Sequence, residues 1–267
     1  MPPADELSPA RPAVSYVLDG RVATIRLVDP AGRNALDHDS LAALLDAVRH
    51  AASDEASVVA LRSRGDFFSV GGDLGAFAAA DDLPAYVERA VALVNTAVLE
   101  LVRLDAVVVA VVQGAAAGAG FPLAAAADLV LAAESARFSL GYTRIGLSVD
   151  GGTSLFPTSL GLHRALRLAL LNDVLSAQEA QAAGLVARVV PDGRLDAVAD
   201  ELIAGLASGP HSALAATKRL LRGSAQGDPE PALRREALAV VEQASHPDGS
   251  EGIGAFVERR PPAFGGR

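Results

Sequence analysis

"AVVVAVVQGAAAGAGFPLAAAAD", residues 106–128, decides the fold. From Ala106 to Ala127 its one polar side chain is Gln113, and the stretch is long enough to span a bilayer. Gly114, Gly118, Gly120 and Pro122 break a continuous helix, and basic residues cluster on neither flank. The composition also changes at Gln113, from Val-rich to Gly/Ala-rich. That pattern predicts a buried parallel strand, a turn and a tightly packed helix rather than a membrane segment.

The surrounding sequence repeats this alternation. Residues 14–18 and 22–28 read as two strands joined at Asp19–Gly20. Helices are expected over 39–52 and 84–103, and strands over 57–63, 106–112 and 128–132. Strand–helix alternation predicts a mainly parallel sheet covered on both faces. Ser176 and Glu179 have capping-box spacing, with Gly184 as the residue that closes the helix. "VARVVP" reads as a short strand. The expected organisation is a disordered arm over 1–13, an α/β core over 14–195 and a helical region over 196–267. Asp228–Pro229 is expected to start a helix as N-cap and N1.

The bulk numbers limit the function classes. The chain has 267 residues, a formal charge of −9 and no cysteine. The acidic balance argues against nucleic acid as a partner, and disulfide, iron–sulfur and thiol chemistry are excluded. The polar, Pro-rich start does not resemble a secretory signal, so a cytoplasmic location is expected. His38, His50, His163, His211 and His246 are scattered and form no metal-ligand spacing. No hydrolase elbow, P-loop or dinucleotide fingerprint is present.

Two small-residue loops remain, "FFSVGGDL" at 67–74 and "QGAAAGAGF" at 113–121. Each is expected to link a strand to a helix, where the first-turn amides lack intrahelical acceptors. Two such amides aimed at one oxygen would form an oxyanion hole. Spacing alone favours the plainer reading, glycines that permit close helix–sheet packing.

These loops resemble those of the crotonase superfamily, the enoyl-CoA hydratase/isomerases. The resemblance runs from about residue 14 to 264. It includes "DPAGRNALD" (29–37, with Asp29 where Arg is usual), "FFSVGGDL" and the segment from Val111 to Gly161. "LSAQEAQAAGLVARVVP" (175–191) and "EGIGAFVERRPPAF" (251–264) complete it. It implies a ββα-spiral core with a C-terminal helical trimerisation region, a homotrimer or dimer of trimers, an acyl-CoA thioester substrate, and no metal or cofactor beyond the substrate's own coenzyme A. The oxyanion amides fall on Gly72 and Ala119. The two glutamates of the hydratases fall on Pro122 and Tyr142, neither of which can act as a carboxylate.

Asp150, in "GLSVDGGT", resembles the aspartate of members that move double bonds, closest to the isomerase-like branch of the phenylacetyl-CoA pathway. Asp before Gly-Gly is also ordinary turn chemistry. In the related dehalogenases a His and a Trp accompany this Asp; here Asn95 and Tyr142 hold those places. Pro122, Tyr142, Asn95 and Asp73 are the candidate pocket residues, Asp73 also suiting an N-cap. Arg33, Lys218, Arg259 and Arg260 are candidates for the coenzyme A phosphates. The resemblance implies double-bond isomerisation with Asp150 as a single proton shuttle. The alternative is a hydratase-like or catalytically weak acyl-CoA-binding protein.

Overall fold

The computed structural model describes residues 13–226 and 228–265. The arm expected over 1–13 therefore lies outside the described residues except for Ala13.

The chain begins with the expected hairpin, β1 (Val14–Asp19) and β2 (Val22–Leu27), and continues through β3 (Ala35–Leu36) into α1 (His38–Ser53). Asp37 starts α1 through a capping box with Ser40. Next come β4 (Val58–Ser63), β5 (Phe67–Ser69), β6 (Gly71–Gly72), α2 (Leu74–Ala79) and α3 (Leu83–Arg103). The opening stretch forms β7 (Val107–Val112), β8 (Ala115–Ala117) and α4 (Gly120–Ala125). β9 (Leu129–Ala133) and β10 (Arg137–Ser139) precede a 3-10 turn at Tyr142–Ile145, then α5 (Phe156–Leu160) and α6 (Leu162–Leu171). β11 (Val174–Ser176), α7 (Ala177–Ala182) and β12 (Arg188–Val190) follow. The last elements are α8 (Leu195–Ala207), α9 (His211–Gln226), α10 (Glu230–Ser245) and α11 (Pro247–Val257). Ser176 and Glu179 form the expected capping box on α7. The start of α10 is displaced by one residue: Pro229 is its N-cap, and Asp228 Oδ1 accepts from the Glu230 amide.

Six strands form the main sheet, in the order β1-β2-β4-β7-β9-β12. All its pairs are parallel except the β1–β2 hairpin. β7 lies between β4 and β9, and all of its residues are buried. A parallel strand covered on both faces reads as an unbroken Val run for that reason.

A single sheet is not the whole architecture. A second sheet runs β11-β10-β8-β5. The pairs β4/β5, β7/β8 and β9/β10 each give their first strand to the large sheet and their second to the small one. The chain thus winds as a spiral of two-strand steps. The expected turn after Gln113 is in fact β8, whose Ala-rich sequence carries little strand propensity. Its pairing with β5 and β10 supplies what propensity does not.

The helices close the site. α10 packs along α3, and α11 packs on α2 and on the 3-10 turn. Gly252 makes the second contact possible, because a Cβ there would lie 2.3 Å from the Ile145 carbonyl carbon. Among the described residues, no helix is long and apolar enough to cross a membrane.

Candidate active site

Two loops converge first. β3 and β6 pair in parallel, with Leu36 opposite Gly72. The Asp73 amide donates to Leu36 O at 3.2 Å, and the Gly71 amide to Ser69 Oγ at 3.1 Å. Ser69 is fully buried and donates to Asn34 O at 2.7 Å, which anchors the loop from below. Gly71 has φ +86°, and a Cβ there would lie 2.8 Å from Ala117 O and 3.0 Å from the Ala119 nitrogen. The loops before α2 and α4 are therefore in backbone contact, which only glycine allows.

Ala119 is the N-cap of α4, as Pro122 suggested. Its neighbour Gly118 donates to Ser139 O at 3.1 Å. The amides that open α4 have no acceptor within the helix. Gly72 and Ala119 line one cavity of about 240 Å³.

Asp150 lines the same cavity and is 7% exposed. Its Oδ1 accepts a 2.5 Å hydrogen bond from the Tyr142 hydroxyl. Burial pushes the Asp150 carboxyl up to about 7; the Tyr142 bond pulls it down, and the nearby Glu236 charge pushes it up. Burial also holds the Tyr142 hydroxyl well above its ordinary range, reinforced by the Asp150 charge. Tyr142 is thus a donor to the carboxylate, not a rival acid. The turn after Asp150 sits against α4: a Cβ on Gly151 would lie 3.3 Å from Pro122 Cγ and 3.8 Å from Ala119 Cα.

Aliphatic side chains complete the cavity. Leu36, Leu74, Val91 and Val94 line it, with Phe77 from α2 and Phe256 from α11. Among the described residues lining it, Asp150 is the only carboxylate.

Several candidates lie elsewhere. Pro122 is buried and packs on the Gly151 turn instead of lining the cavity. Asn95 also stays outside it: its Nδ2 donates to Leu233 O on α10 at 2.9 Å. Asp73 caps α2, accepting from the Gly75 and Ala76 amides. Its side is an adjoining groove that shares Gly72, Leu74 and Phe256 with the cavity. Arg33, exposed, lines that groove.

Lys218 is a correction. It is 8% exposed, donates to Ala106 O and pairs with Asp128, both at 2.8 Å. An ammonium enclosed by these partners ties α9 to the sheet and cannot meet an external phosphate. Arg260 is likewise engaged by Glu251 and Glu258, each at 2.6 Å. Asp29, the departure from the expected Arg, accepts from the Ala31 and Asn34 amides and so fixes its own loop.

Glu236 was not foreseen. It is 5% exposed and reaches the turn behind Asp150. Its signal in the sequence was present: Leu233, Glu236, Val240 and Ala244 form one buried stripe of α10, with a charge in an otherwise apolar row.

Comparison with known proteins matches this geometry. The family model described as Enoyl-CoA hydratase/isomerase matches residues 18–267. The 2,3-dehydroadipyl-CoA hydratase of Escherichia coli is 35% identical, covering 92% of this chain and 96% of that protein. The 1,2-epoxyphenylacetyl-CoA isomerase of the same organism is 33% identical over 95% and 98% of the two chains. A crystal structure of an enoyl-CoA hydratase from Mycobacterium avium subsp. paratuberculosis superposes with a TM-score of 0.86 at 36% identity, covering 95% of this chain and 98% of that one. The spiral of paired strands, the two joined loops and the end-to-end match together make this chain a member of the enoyl-CoA hydratase/isomerase family, within the crotonase superfamily.

Proposed function

We propose that the protein isomerises the double bond of an acyl-CoA thioester, with Asp150 as the proton shuttle. The observation that carries this reading is the position of Asp150: buried, in the cavity lined by Gly72 and Ala119, and the sole carboxylate among its described lining residues.

The thioester carbonyl accepts from the Gly72 and Ala119 amides. Asp150 removes a proton from C2 of a 3-enoyl chain. The C–H pair moves toward the carbonyl, and the resulting dienolate oxygen is held by the two amides. The electrons then return: a C2–C3 double bond forms, and the C3–C4 pair takes the proton from Asp150 at C4. Asp150 ends as the carboxylate that began. A base whose carboxyl titrates near 7 can accept and release a proton at neutral pH. The 2.5 Å bond from Tyr142 engages Oδ1, which leaves Oδ2 for the substrate. Tyr142 and Pro122 hold the positions that the resemblance assigns to the two hydratase glutamates, and neither can act as a carboxylate, which supports isomerisation over hydration.

Arg33, on the groove that continues from Gly72, is the candidate for the coenzyme A phosphates. Assembly as a homotrimer or dimer of trimers belongs to the same reading, supported by exposed Leu162, Leu166, Leu170 and Leu171 on α6. Light scattering on the purified chain tests it.

The deciding assay is conversion of 3-enoyl-CoA to 2-enoyl-CoA by the wild type and by Asp150→Asn. The substitution is expected to abolish conversion; unchanged turnover sinks the role of Asp150. Mass spectrometry of the products separates an isomer from a hydrated product.

A further inference from the structure

Residues 150–154 form a turn with little stiffness of its own. Gly151 and Gly152 follow Asp150 with φ of +65° and +99°. Two consecutive glycines leave the direction of the Asp150 side chain under-determined by local sequence. Two bonds to Asp150 O, from the Thr153 amide at 3.2 Å and the Thr153 hydroxyl at 2.8 Å, close the turn but do not fix it in space.

What fixes it comes from α10. The Gly152 amide donates to Glu236 Oε2 at 2.7 Å, and the Ser154 amide donates to Glu236 Oε1. Both oxygens of one buried carboxylate are thus committed to one turn. On the opposite side, a Cβ on Gly152 would meet Val98 Cγ1 of α3 at 3.2 Å, and Gly151 rests on Pro122. Packing alone would be served as well by a leucine in this apolar stripe, but the two amides would then be buried without acceptors.

We propose that Glu236 is the positioning residue of the reaction: its carboxylate, bonded to the Gly152 and Ser154 amides, aims Asp150 into the cavity. This rests on the reading of Asp150 as the proton shuttle. Glu236 does not line the cavity, so its action passes through the turn. The elements around the turn bring Tyr142 and Arg144 from the 3-10 turn, apolar Ala119 at the N-cap of α4 and Pro122 within it, apolar Val98 from α3, the cation Arg222 from α9, and Glu236 from α10. Glu236 is the one anionic neighbour of Asp150 in that set, so it also resists a second negative charge beside it.

The test uses the full chain with Glu236→Ala, Glu236→Gln and Glu236→Asp. Isomerisation of 3-enoyl-CoA is followed across the neutral pH range, alongside thermal unfolding. For Glu236→Ala, kcat is expected to fall about tenfold or more while KM stays within about twofold. Glu236→Asp is expected to recover part of the loss. In Glu236→Gln the acid limb of the pH profile is expected at lower pH, because the like charge is gone. Equal kcat and an unmoved pH profile in all three variants would overturn the proposal, as would losses that follow melting temperature alone.

Should Glu236→Ala fail to fold, the other two variants carry the test. A carboxyl-carbon NMR titration of Asp150 in Glu236→Gln gives a readout without turnover. A shifted midpoint supports the proposal and an unshifted one overturns it. Asp150→Asn in the same assay series separates the two readings. Full turnover there ends the shuttle reading, while the NMR titration still decides whether residue 236 governs that carboxyl.

Discussion

Tyr142 and Asp150 share a 2.5 Å hydrogen bond inside a cavity where the hydroxyl is the donor and Oδ1 the acceptor. The bond favours the charged form of Asp150, against burial and the Glu236 charge that favour the neutral one. Tyr142→Phe removes the lowering influence only. The acid limb of the isomerisation profile is expected to move to higher pH, and kcat at neutral pH to fall about tenfold. A profile that moves the other way contradicts this assignment of donor and acceptor.

The same carboxyl links stability to pH. Its folded value, about 7, lies above the ordinary 3.8. A raised carboxyl favours the folded state while it is protonated. That advantage is complete below the ordinary value and is lost as pH rises through the folded one. Asp150→Asn is therefore expected to raise the melting temperature relative to wild type at about pH 8, and by much less at about pH 4. Glu236 is raised in the same direction, by burial first, and adds to the slope that remains.

Gly71→Ala tests the contact between the two loops. The new methyl would meet Ala117 O at 2.8 Å and the Ala119 nitrogen at 3.0 Å. Both are backbone atoms, so the loops must separate. Loss of one donor from an oxyanion hole lowers kcat by about 10²-fold or more, and a loss of that size is expected here. Circular dichroism should remain that of a folded chain.

Lys218 and Arg33 are expected to divide stability from binding. Lys218→Met leaves the half-buried Asp128 with Arg222 as its remaining cation, at 2.8 Å. Breaking a fully buried pair costs about 3–5 kcal/mol; a smaller loss is expected here because Arg222 and the Val108 amide still hold Asp128, readable by denaturant titration, with acyl-CoA affinity unchanged in the folded fraction. Arg33→Ala should weaken acyl-CoA affinity a few-fold at unchanged melting temperature. A reversed pattern would return Lys218 to the binding site.

The larger elements were readable in the residues because their own periodicity dictates them. The Val run of β7, the stripe of α3 and the capping box of α7 each carry a local signal. The helix start at Ala119 was readable from Pro122, whose missing amide suits a first turn. The second sheet was not, because Ala115–Ala117 has no strand signature until β5 and β10 flank it. Side-chain fates were hardest to read. Lys218 is decided by Asp128 and Asn95 by Leu233, partners remote in the chain. The Tyr142–Asp150 bond depends on a turn held by Glu236, more than eighty positions further along.

The placement of Tyr142 also has an optical side. The chain has no tryptophan and three tyrosines. Tyr16 donates to Asp54 near the surface, and Tyr86 stacks on His38. Tyr142 alone of the three lines the cavity. Its phenol is the chain's own built-in fluorophore for that chamber, so the emission of the unlabelled protein carries a signal from the site itself, against a background of two other tyrosines.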